Sequence, residues 1–114
     1  MNTTKIGKEA EVVASDYIEG LGFRVIARNW KRPMCEIDLV AVKEKIVYFI
    51  EVKYRKSDKH GGGLDYITSK KLQQMKFSAN CWISENRYQS SYELSVIEVS
   101  GNDLKVTAFI KELT

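Results

Sequence analysis

Hydrophobic positions recur along the chain with two different periods. Ile6, Ala10, Val13, Ala14, Tyr17, Ile18 and Leu21 follow the spacing of one helix face, and Gly20 and Gly22 supply stop signals. They predict a first amphipathic helix over about residues 5–21. Residues 23–29 then read as a strand, with a turn around Lys31-Arg32-Pro33. Residues 36–42 and 46–53 are alternating, β-branched runs on either side of the short polar segment Lys43-Glu44-Lys45. Residues 57–63 form a loop ending in three consecutive glycines. A second helix over about 65–83 carries Ile67, Leu72, Met75, Ala79, Trp82 and Ile83, with its tryptophan and methionine in the core. Two last strands, near 92–99 and 104–110, flank a Gly101-Asn102 turn. The order αβββαββ predicts an α/β fold, a mixed β-sheet flanked by helices.

Length and composition narrow this picture. The 114 residues point to one domain spanning 1–114, and a hydrophobic fraction of 44% excludes a disordered chain. The longest apolar run, Ile46-Val47-Tyr48-Phe49-Ile50, is far short of the ~20 residues of a membrane helix. The first residues hold no apolar stretch of the signal-peptide kind, so a cytoplasmic protein without membrane partners is expected. Cys35 and Cys81 lack CxxC spacing and read as reduced thiols.

The net charge of +3 conceals an uneven layout. Residues 1–22 and 77–114 each carry a net of −2, whereas residues 23–76 carry +7. Bursts of lysine and arginine within the middle segment suit a polyanionic partner, because phosphates dominate such affinity. A solvated surface that maintains solubility explains the same charge equally well.

Several carboxylates break the expected pattern. With period two, Glu36, Asp38, Val40 and Val42 share one face of their strand, and Val47, Phe49, Glu51 and Lys53 share one face of the next. If Glu44-Lys45 is a two-residue turn, Asp38 falls opposite Glu51 and Glu36 opposite Lys53. Opposed carboxylates destabilise a sheet and push one pKa up, a cost that a hard divalent cation reverses. A polar outward face on an edge hairpin fits the same residues. On the first helix, Glu11 lies at the margin of the apolar stripe. There it snorkels to water, or reaches the hairpin if the helix packs beside it.

Asp38 followed after twelve residues by Glu51-Val52-Lys53 resembles the D…(D/E)-x-K signature of the restriction-endonuclease-like nucleases. A longer pattern carries more information. Gly7, Glu11, Ala14, Tyr17, Gly22, Arg28-Asn29, Glu36-Ile37-Asp38-Leu39-Val40 and Phe49-Ile50-Glu51-Val52-Lys53 with Arg55 precede Lys71, Ala79 and Trp82. Over nearly the whole chain this resembles the YraN family of small uncharacterised bacterial proteins, whose nearest functional analogues are archaeal Holliday junction resolvases. The resemblance implies a restriction-endonuclease-like core with its site on the central hairpin. It implies that Asp38, Glu51 and the Val52 backbone carbonyl bind Mg²⁺ or Mn²⁺, that Lys53 positions the attacking water, and that Glu11 supports the metal or a second one. The implied reaction is phosphodiester hydrolysis in DNA, on a branched, damaged or single-stranded substrate. Arg28, Lys31, Arg32, Arg55 and Lys71 are the candidate nucleic-acid contacts, and Glu36 lies around the site. A homodimer follows only by analogy with the resolvases.

The sequence also departs from the family pattern. Ala10 and Cys35 stand where the family has glycine before Glu11 and Glu36, and Ser95 and Glu93 stand in place of an aspartate and an arginine. These departures keep two alternatives open: a non-catalytic nucleic-acid-binding module on the same fold, and an accessory protein that recruits a partner. His60 beside the three glycines reads as a solvated histidine, or else a general base. Trp30 beside Lys31 and Arg32 reads as a half-buried strand-end residue, or else a base-stacking one.

Overall fold

The computed structural model of the chain describes residues 3–56 and 65–113, so His60 and the whole glycine loop over 57–63 lie outside the described residues. The elements follow the expected order: α1 (Thr3–Gly20), β1 (Arg24–Arg32), β2 (Cys35–Lys43), β3 (Ile46–Arg55), α2 (Ser69–Asn86), β4 (Tyr92–Ser100) and β5 (Lys105–Ile110). β1 runs on through Lys31 and Arg32, where the sequence predicts a turn, because both residues pair with β2 and the turn falls on Pro33-Met34. α2 begins four residues later than its apolar pattern suggests. Thr68 caps it there, its side chain accepting from Lys71 N–H at 3.1 Å.

α1 ends through its glycine. Gly22 has φ +96°, Phe23 N–H donates to Ile18 C=O at 3.0 Å and Gly22 N–H to Glu19 C=O at 3.1 Å. This closes the helix in a Schellman motif, whose left-handed position favours a residue without Cβ.

The five strands form one sheet in the order β1-β2-β3-β4-β5. β3 and β4 are parallel, joined across α2, and the other neighbouring pairs are antiparallel. The sheet is therefore mixed, as the element order predicts. α1 covers one face, packing Ala10, Ala14 and Ile18 with Phe23, Leu39, Ala41, Tyr48, Ile50, Ile97 and Val99. α2 covers the other, packing Met75, Ala79 and Trp82 with Ile37, Val40, Val47, Phe49, Leu94 and Val96. Both core-facing predictions for the second helix hold, since Met75 and Trp82 are buried.

The β2–β3 register matches the assumed Glu44-Lys45 turn, running from Lys43↔Ile46 to Leu39↔Ile50. Both turn residues adopt positive φ, +52° and +66°, which is the backbone of a type I′ hairpin turn. The ladder stops at Leu39↔Ile50. Asp38 and Glu51, expected to face each other as a ladder pair, stand where the two strands part.

Candidate functional site

The parting has a local origin in β1 and β2. The β1–β2 register shifts once, between Val25 and Ala27, and is unbroken from Arg28↔Leu39 to Trp30↔Ile37, yet between those two pairs the faces change in both strands. Leu39 packs under α1 and Arg28 reaches Glu19 of α1 at 3.8 Å, whereas Trp30 and Ile37 pack with the α2 cluster. Asn29 lies at the change of face with φ +50°, a conformation that asparagine tolerates better than most side chains. The tip of the β1–β2 hairpin thus swings toward α2. Beyond Ile50, β3 instead follows β4, with register pairs from Glu51↔Val96 to Arg55↔Ser100.

The sheet forks, and the fork holds the candidate residues. Val52 N–H, which has no ladder partner on β2, donates to Asp38 Oδ2 at 2.8 Å. A strand residue presents its N–H and C=O to the same edge, so the Val52 carbonyl faces the same gap. The Asp38 carboxyl is pushed up to about 7, first by burial and then by Glu51, with smaller contributions from Glu11 and Glu36 and with the Val52 N–H pulling it back. Glu11 therefore contributes to the field at Asp38 although α1 lies on the opposite face of the sheet.

Glu51 projects to the α2 side, where Lys71 Nζ lies 3.0 Å from its Oε2. A cleft of about 760 Å³ opens above the fork. Lys31, Arg32, Pro33 and Met34 of the β1–β2 hairpin line it, with Lys70, Lys71, Gln74 and Phe77 of α2, and with Glu36, Asp38 and Glu51. Sequence reasoning nominates Lys31, Arg32 and Lys71 as nucleic-acid contacts, and all three line this cleft. Arg32 also pairs with Glu85 and lies over the Trp30 ring at 4.4 Å.

Other nominated residues lie elsewhere. Arg28 sits on the α1 face with Glu19, away from the cleft. Lys53 shares a strand face with Glu51, but its ammonium lies over Tyr66 at 5.5 Å and makes no ion pair among the described residues. Arg55 is mostly buried in a cluster that the sequence does not reveal. Its Nε lies 2.9 Å from Glu98 Oε2, its Nη2 meets Asp65, and its guanidinium covers Tyr66 at 4.9 Å. The Glu98 contact is an ion pair without hydrogen-bond alignment. The other Glu98 oxygen accepts from Thr107 Oγ1 at 2.8 Å. Burial and Glu98 push the Tyr66 hydroxyl up to about 12. A lone carboxylate inside the apolar run Val96-Ile97-Glu98-Val99 is the available signal.

The donor set can be tested against a divalent cation. Asp38 and Glu51 offer carboxylate oxygens and Val52 a carbonyl oxygen, the ligand class of Mg²⁺ and Mn²⁺. Among the described residues, no three His, Cys, Asp or Glu side chains gather closely enough to hold an ion by side chains alone. Two carboxylates and one carbonyl leave the remaining positions to water, which suits an ion that dehydrates reluctantly. The set fits, provided Glu51 yields its contact with Lys71.

Comparison with known proteins agrees with the family resemblance. Residues 10–99 match the profile of the uncharacterised protein family UPF0102, the family also called YraN. A UPF0102 protein of Mycolicibacterium vanbaalenii is 40% identical over 81 residues, covering 71% of this chain and 67% of its own. One from Vibrio parahaemolyticus is 32% identical over 104 residues, covering 88% and 86%. One from Fusobacterium nucleatum is 36% identical over 89 residues, covering 78% and 75%. No helix among the described residues is long and apolar enough to cross a membrane.

Proposed function

The chain belongs to the uncharacterised protein family UPF0102, and from its forked site we propose a metal-dependent endonuclease that hydrolyses phosphodiester bonds in DNA. One observation carries this reading. Asp38, held by Val52 N–H at the fork, has its carboxyl raised to about 7 by burial and by Glu51, and both carboxylates line a cleft with lysines and an arginine. Stability alone would separate that pair, whereas a cation would hold both ionised.

Asp38, Glu51 and the Val52 carbonyl would hold Mg²⁺ or Mn²⁺. The ion would supply charge to polarise a scissile phosphate and to activate water. The chain's own residues supply the rest. Val52 N–H fixes the orientation of the Asp38 carboxylate at 2.8 Å. Lys71, 3.0 Å from Glu51, would be free to contact a phosphate when Glu51 serves as a metal ligand. Lys53, on the strand face of Glu51, would orient the attacking water, and Glu11 adds negative charge from the α1 side. Lys31 and Arg32 hold the backbone of the strand.

Incubation with Mg²⁺ or Mn²⁺ and a panel of junction, flap, single-stranded and paired substrates tests the proposal. Cleavage lost in Asp38→Ala and Lys53→Ala is expected. Absence of cleavage on every substrate, or full activity in both variants, refutes catalysis at this site. The position of Lys53 over Tyr66 favours a second reading, a binding module without turnover. Salt-sensitive DNA affinity that survives Glu51→Ala, without cleavage, would select it.

A further inference from the structure

Two apolar side chains lie at the rim of the basic cleft with no role in the chemistry above. Met34, at the hairpin turn, is 80% exposed, and Phe77 of α2 is 49% exposed. Both line the cleft and also a shallower, mainly apolar groove beside it, shared with Trp30, Cys81 and Ser84. Large exposed hydrophobics are individually ordinary, but these two flank the phosphate-lining residues. Phe77 follows Lys70 and Gln74 at the seven- and three-residue spacings of one helix side, and Lys71 flanks that side. Phe77 lies six positions beyond Lys71, roughly 9 Å along the helix axis, which is within about three nucleotides of a strand.

Trp30, the aromatic that the sequence puts forward for stacking, is not free to do so. Its ring packs with the α2 cluster, and Arg32 covers it at 4.4 Å. Phe77 and Met34 are large apolar groups open to a ligand along this cleft. The occupant follows from the charge around them. Lys31, Lys70 and Lys71 suit an anionic backbone, and an exposed ring beside such a track suits a base.

We propose that Met34 and Phe77 form a stacking rim for an unpaired nucleobase, so that the nucleic acid bound carries an unstacked nucleotide beside the site of chemistry. This deepens the nuclease reading and rests on it for what happens at the neighbouring phosphate. A base inside a continuous duplex keeps its neighbours and cannot reach the ring. The rim therefore discriminates bulged, flapped or single strands from paired ones.

The test uses a duplex with one bulged 2-aminopurine and a fully paired duplex of the same length, titrated with wild type, Met34→Ala, Phe77→Ala and Phe77→Trp. Titrations run in Mn²⁺ and again in EDTA. Wild type is expected to prefer the bulged duplex, with a change in 2-aminopurine fluorescence. Phe77→Ala should weaken bulged binding by about 5- to 150-fold, the range of one base–aromatic stack, and leave paired binding unchanged. Phe77→Trp should retain the preference. Because Met34 and Phe77 are exposed, both alanine variants should melt like wild type. An equal loss on both duplexes, or none on either, overturns the proposal. So does sedimentation showing that Phe77→Ala abolishes self-association while leaving the DNA preference intact, because the rim is then an interface between copies. Asp38-dependent cleavage that ignores Phe77 removes the rim and keeps the nuclease. A Phe77-dependent preference without Asp38-dependent cleavage removes the nuclease and keeps the rim as a binding element.

Discussion

Replacing Asp38 by asparagine should stabilise the metal-free protein at neutral pH. The Asp38 carboxyl moves from its ordinary 3.8 to about 7, driven by burial and then by Glu51. In acid below both values, the group is protonated in the folded and unfolded chains alike and costs nothing. As pH rises, the unfolded chain releases the proton near 4 and the folded chain only near 7. Stability therefore falls through that window, and the loss is complete above about pH 7. The full difference corresponds to a ceiling of about 4 kcal/mol. The asparagine side chain would keep an oxygen for Val52 N–H, so most of that gain should be realised, about 2–4 kcal/mol. For a domain of this length that amounts to a rise in Tm of roughly 10 °C. The assay is thermal unfolding of both proteins in EDTA from about pH 5 to 8. The gap should open with rising pH, and the groups facing Asp38 — Glu51, Glu11, Glu36 and, through Glu51, Lys71 — are common to both proteins. Excess Mn²⁺ should restore wild type at the alkaline end and do much less for Asp38→Asn. Parallel melting curves across the whole pH range would refute the reasoning.

Lys71→Ala should bind Mn²⁺ more tightly by isothermal titration, by about fivefold for 1 kcal/mol of lost competition, since Lys71 occupies Glu51 at 3.0 Å. Unchanged or weaker binding would show that Lys71 does not compete for Glu51. Arg55→Ala should lower stability in urea unfolding by about 3–5 kcal/mol, because Glu98 keeps a buried charge without its cation. The Arg55→Met, Glu98→Leu double variant should recover most of that loss, and a double variant as unstable as the single would contradict the account. Glu44→Asn with Lys45→Gly should raise stability by about 1 kcal/mol, because both turn residues adopt positive φ. A lower Tm by calorimetry would count against strain at this turn.

The parts of the fold that local pattern determines are legible in the sequence. α1 and the β2–β3 hairpin follow from periodicity. The hairpin register follows from the length of its polar segment, although Glu44-Lys45 is a poor turn sequence. Asp38 and Glu51 stand out by strand period, Val52 joins them only through the family resemblance, and the structure places all three at one gap. The fork is not legible, because it follows from a change of face at Asn29 and Asp38 without a register shift and from the continued pairing of β3 with β4 beyond Ile50. The same change explains Arg28. A count of alternating residues places it on the face of Arg32, but a change of face leaves it with Glu19 while Arg32 lines the cleft. Glu98 escapes a sequence reading because strand periodicity does not reveal which polar residue finds a buried partner. Arg55 supplies that partner from a neighbouring strand.

The hydrogen bond from Val52 to Asp38 gives the site a spectroscopic handle. In an intact ladder that main-chain proton would be held by another peptide carbonyl and would ignore side-chain chemistry. Here its acceptor is a titrating carboxyl oxygen at 2.8 Å. Loss or gain of a proton on Asp38, or its capture by a cation, changes the electron density that the Val52 amide senses. One backbone resonance in a nitrogen-15 spectrum therefore reports the charge state of the site without a probe, a substrate or a turnover event. In this sheet the interruption of regular pairing couples a peptide group directly to the acid–base chemistry beside it.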